Sequence, residues 1–161
     1  MPKMVDTRYT QDRELSWLRF DERVLEEARD EDVPLMERLK FAAIFTSNLD
    51  EFFMVRVGSL YDMTLVKEPH IDSRTGQTPE QQLQAIFKAA GPLYKQRDKV
   101  VEQLESRLRA CNICRLSVEE MDTKERKQVE NWFRDEVQPI LSPQVVDARH
   151  PFPHLSNKTL K

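Results

Sequence analysis

The sequence predicts a mainly α fold: an N-terminal helical bundle with one long amphipathic helix, followed by an incomplete α/β segment. Three observations predict it. Apolar residues recur at steps of three and four up to about residue 110. Only three glycines stand against nine prolines in 161 residues, too few for the tight turns of an all-β fold or for a glycine-rich phosphate loop. Past residue 110 the periodicity gives way to a stretch broken by Pro139, Pro143, Pro151 and Pro153. The expected organisation is a helical domain over 1–110 and the beginning of a second domain over 111–161.

The first element is "RELSWLRFDERVLEEARDED". Leu15, Leu18, Val24, Leu25 and Ala28 share one side, with Trp17 and Phe20 beside them. Asp21 reads as the cap of a helix running to about Arg29. Asp30, Glu31 and Asp32 read as a solvated acidic turn. Pro34 suits the first position of the next helix, where its missing N–H is not needed. In "FTSNLDEFFMVRV" Ser47 and Asp50 have the spacing of a capping pair, so a helix break is expected near Ser47. Asp50 and Glu51 then fall in a first helical turn, where the helix dipole favours negative charge. Apolar residues surround 34–66 almost completely, which marks it as the most buried part of the fold.

Residues 67–78, "KEPHIDSRTGQT", read as a polar loop. Thr78-Pro79-Glu80 is a strong helix start. Apolar residues from Leu83 to Leu108 then trace one long helix over 79–110, with Gly91-Pro92 as a kink. Its stripe suits a packing seam against the preceding helices. "CNICRLS" reads as a short strand, and Thr123 to Val137 as a helix with Val129, Trp132, Phe133 and Val137 turned inward. Ile140, Leu141, Val145 and Val146 read as strand residues.

Composition removes several function classes. The net charge of −3, with both signs interspersed, gives no polybasic signature for nucleic acid. No apolar run reaches the roughly 20 residues of a transmembrane segment, and the N-terminus lacks a signal-peptide core. A cytoplasmic protein is expected. Cys111 and Cys114 form a lone C-x-x-C, without the βαβ context of a redox pair or two further zinc ligands. Two reduced thiols near a helix end fit better. His150 and His154 are four apart, but Pro151 and Pro153 forbid the helix that would align them, and His70 lies in a polar loop. No metal site is expected in this chain.

"RELSWLRFDERVLEEA" and "SNLDEFFMVRVGSL" closely resemble the N-terminal segment of the long bacterial polyphosphate kinases that work through a phosphohistidine. "PILSPQVVDARHPFPHLSNKTL" is similar to the start of their next domain, the head domain. The resemblance spans about residues 13–161, with the 61–110 helix matching mainly in pattern. It implies an enzyme that moves the terminal phosphate of ATP onto polyphosphate, with Mg2+ and arginines neutralising the phosphates. It also implies a homo-oligomer, cytoplasmic or peripheral at the inner membrane. The catalytic histidine, its arginines and the Mg2+ ligands belong to later domains of the family, so no catalytic residue is assigned here and this stretch alone is expected to be inactive.

One site residue carries over. On residue chemistry alone Asn48 reads as a cap or turn residue. The resemblance implies that it contacts the adenine of ATP, and an amide does offer the donor and acceptor that an adenine edge requires. Trp17 and Phe52 read as core. A different reading also fits the long apolar stripe: a non-catalytic helical interaction module whose 79–110 helix pairs with another chain.

Overall fold

The structure is a computed structural model that describes residues 10–67 and 70–158. The polar leader up to residue 9, Glu68 and Pro69 of the polar loop, the last two residues of the head-domain motif and Lys161 lie outside them. The chain divides into two compact units between Cys114 and Arg115. The helices are α1 (Arg13–Arg29), α2 (Leu35–Glu51), α3 (Gly58–Thr64), α4 (Pro79–Ala110) and α5 (Thr123–Trp132). The fold is mainly α, as the periodicity predicts.

In the first unit, α1, α2 and α4 pack on one another and α3 packs on α4. One continuous core results. Leu18, Leu25 and Ala28 come from α1, and Ala42, Phe45 and Leu49 from α2. Leu83, Ile86, Ala90, Leu93, Val100 and Leu104 come from α4. These α4 residues are the predicted stripe, so the long helix does serve as the packing seam of the unit. Both ends of α4 are written locally. Thr78 and Gln81 form a reciprocal capping box, with Pro79 at the first turn. At the other end the Asn112 N–H donates to the Arg109 carbonyl and the Ile113 N–H to the Leu108 carbonyl, at 3.0 and 2.9 Å. Asn112 itself sits at φ 60, the left-handed conformation that completes this helix stop. "CNIC" is therefore a helix terminator. Asn112→Gly is expected to raise stability by up to about 1 kcal/mol, and Asn112→Val to lower it by about 1–2 kcal/mol. Thermal melting of the two variants checks this.

Several expectations change. Asp12, not Asp21, caps α1: its Oδ1 accepts from the Glu14 and Leu15 N–H groups at 2.8 and 2.9 Å. Asp21 lies inside the helix and is fully buried. There is no break at Ser47. The helix passes through Ser47 and Asp50, whose exposed side chains leave the backbone ladder intact. Asp50 and Glu51 thus end α2 rather than start a helix. The irregularity comes later, as a π-helical turn over Phe52–Val57 that joins α2 to α3. Nor is 34–66 buried all round. Ala42, Phe45, Leu49 and Phe52 face the core, while Met36, Ile44, Met54 and Val55 are about half exposed. Pro34 precedes the helix by one residue. The long helix over 79–110 forms as expected, with Pro92 inside it.

The second unit holds α5, capped by the reciprocal Asp122 and Glu125 pair, and a π-helical turn over Phe133–Val137. No strand forms among the described residues, either at 111–117 or at 140–146. An isolated extended segment has no ladder partner to hold it. Val129, Trp132 and Phe133 are exposed within this unit, contrary to the inward placement expected.

Candidate functional site

The site forms where α1 passes the end of α2. Trp17 and Asp21, one helical turn apart, lie on the same side of α1. On α2, Asn48 sits one turn before Phe52. The π-helical turn then widens the helix and presents Val55 and Arg56; such turns recur at functional sites. Trp17, Phe20, Asn48, Glu51, Phe52, Val55 and Arg56 line one pocket of about 250 Å³.

Trp17 stacks flat on Phe52, with centroids 4.5 Å apart and planes 6° off parallel. The Arg56 guanidinium lies 5.9 Å from the Trp17 ring centre, within cation–π range. Glu14, nearly buried, fixes that guanidinium: its Oε2 accepts from Arg56 Nη1 at 3.1 Å and its Oε1 from Arg13 Nε at 2.9 Å. The wall is thus rigid, aromatic and cationic.

Asn48 is half-buried, and its Nδ2 donates to Asp21 Oδ1 at 2.9 Å. That bond uses one of the two amide hydrogens. The second, and the amide oxygen, make no other hydrogen bond with the described residues. Asp21 Oδ2 is buried with no partner. Burial pushes the Asp21 carboxyl up to about 6, against a smaller opposing effect of the Asn48 bond. Sequence reasoning missed this pairing. The signal was present: Asp21 stands three residues after Leu18 and four before Leu25, so it lies on the apolar stripe rather than beside it. Phe52 is a core residue as expected, Trp17 packs partly buried against the core, and each also walls the pocket.

Elsewhere, Cys111 and Cys114 are exposed and unbridged. His150 Nδ1 lies 3.0 Å from Asp147 Oδ1 in an exposed turn. Among the described residues, no cluster of three or more His, Cys, Asp or Glu side chains is placed to hold a metal ion. None of their helices is long and apolar enough to cross a membrane.

Residues 10–116 match the polyphosphate kinase N-terminal domain, and residues 124–161 match the polyphosphate kinase middle domain. The chain belongs to the polyphosphate kinase family. Relatives named polyphosphate kinase bear this out. That of Bacillus cereus is 44% identical over 156 residues, covering 96% of this chain and 22% of the relative. That of Halalkalibacterium halodurans is 48% identical over 149 residues, covering 92% and 21%. That of a Synechocystis strain is 44% identical over 158 residues, covering 96% and 21%. The chain therefore spans about a fifth of the length of these relatives. No solved structure matches it.

Proposed function

We propose that this chain forms the adenine side of the nucleotide site in a polyphosphate kinase that transfers the terminal phosphate of ATP to polyphosphate. One observation carries the reading. Asn48 is anchored from behind by Asp21, and its remaining donor and acceptor line a pocket walled by Trp17, Phe52 and Arg56. An adenine edge offers an amino donor beside a ring-nitrogen acceptor, which one amide matches with two hydrogen bonds. The apolar wall shields those bonds from water, which strengthens them. Family membership supplies the nucleotide.

On this reading, residues 1–110 are the helical N domain and 111–161 begin the head domain. The phosphohistidine, the arginines and the Mg2+ ligands of the transfer step lie outside these residues. ATP and polyphosphate are the substrates, in a cytoplasmic homo-oligomer.

Asn48→Ala in the full-length enzyme tests the assignment. Neutral hydrogen bonds contribute about 0.5–1.5 kcal/mol net, so the apparent KM for ATP should rise roughly two- to twelvefold. The base lies away from the transferred phosphate, so kcat should change little. An unchanged KM with a lowered melting temperature would show that Asn48 only supports the helix pair.

A further inference from the structure

We propose that Asp21 is a positioning residue that sets which way the Asn48 amide faces its ligand, and thereby sets the preference for adenine over guanine. The inference rests on the adenine reading of Asn48 given above. Asp21 is fully buried on α1, and its Oδ1 takes the Asn48 Nδ2 hydrogen at 2.9 Å across the helix pair. Its other oxygen is buried with no partner.

An amide side chain has two orientations, related by exchange of its nitrogen and oxygen. An ionised carboxylate only accepts hydrogen bonds. It therefore favours the orientation with nitrogen towards Asp21 and repels the one with oxygen towards it. The order of donor and acceptor shown to the pocket is fixed in consequence. That order matters because the adenine and guanine edges are reversed: adenine carries an amino donor beside a ring acceptor, guanine a carbonyl acceptor beside a ring N–H donor. A turned amide pairs with the wrong base.

The arrangement runs against stability. A buried carboxylate with one hydrogen bond and one unpartnered oxygen is unfavourable, and an apolar residue of similar size is often tolerated as well or better. Local conflicts of this kind concentrate at functional sites.

The test uses the full-length enzyme and three variants: Asp21→Leu, Asn48→Ala and the double variant. Asp21→Leu should raise the KM for ATP by up to the two- to twelvefold expected of Asn48→Ala, leave kcat near wild type, and narrow the ATP-to-GTP preference. Its melting temperature should hold or rise, which a merely structural role would not allow alongside the loss. In the Asn48→Ala background it should add nothing further. Asp21→Asn keeps one acceptor but can itself turn over, so it should fall between wild type and Asp21→Leu. If Asn48→Ala raises the KM while Asp21→Leu leaves both KM and base preference unchanged, the positioning role is overturned and the adenine reading stands. If Asp21→Leu raises the KM equally with and without Asn48, Asp21 acts through the fold and the proposal also fails. If Asn48→Ala has no effect on the ATP KM, the adenine reading falls and takes this inference with it.

Discussion

Replacing Phe45 with alanine is expected to lower the unfolding free energy of the helical unit by about 3–5 kcal/mol. Phe45 is fully buried on α2, in one cluster with Leu18 and Leu25 of α1 and Ile86 and Leu104 of α4. The loss has two parts, the transfer free energy of the ring and the cavity left among side chains anchored on three different helices. Ile44, the adjacent residue, points the other way and is 46% exposed. Ile44→Ala should therefore cost under about 1 kcal/mol, because surface positions outside special features change stability little. Urea denaturation of both variants measures the contrast. Equal shifts in midpoint would contradict a helix buried on one face only.

Between about pH 4 and pH 7, Asp21 should remove roughly 2 kcal/mol of stability as the pH rises. Its carboxyl is raised from 3.8 to about 6 by burial. Over that window the folded chain holds a proton that the unfolded chain has released, so raising the pH favours unfolding. The contribution is lost as pH passes through the folded value, and above it the ionised group stays buried at full cost. Asp21→Asn carries no charge at any of these pH values, so its stability should lack this decline. The new amide inherits the unpartnered position of Oδ2, so the pH slope is the informative quantity rather than the absolute stability at one pH. Denaturation midpoints from pH 4 to about pH 8, compared between the parent and Asp21→Asn, decide it. Parallel curves would mean that Asp21 is hydrated in the folded state.

The tertiary structure also gives Arg38 a buried role. It is buried on α2, its Nε donating to the Ala28 carbonyl at 2.9 Å and its Nη2 to the Arg29 carbonyl at 3.3 Å. These are among the carbonyls that the last turn of α1 leaves without helical partners. A guanidinium from the next helix thus closes the previous one. Nothing in the sequence around Arg38 distinguishes it from a solvated arginine on a charged face, because the partner is ten residues away and reaches it only after the two helices pack.

What the sequence by itself determined is local. Apolar spacing located α1, α2, α4 and α5, and Thr78-Pro79-Glu80 marked the start of α4. These signals rest on hydrogen bonds and side-chain contacts within a few residues, so they survive without knowledge of the fold. The capping signal beside Asn48 pointed to the wrong local geometry. Ser47 and Asp50 imitate a capping pair, yet α2 runs through them and widens only at Phe52. The apolar stripe of α1 passes through Asp21, but only the tertiary structure decided what that buried carboxyl meets. Asp21 reads as a cap by residue type, and Asp12 takes that role only because α1 begins at Arg13. Once α1 packs against α2, Asp21 is closed off from water and, among the described residues, Asn48 is the one side chain that donates to it. Long-range pairing is a property of how helices fit together, and the pattern along one helix does not contain it.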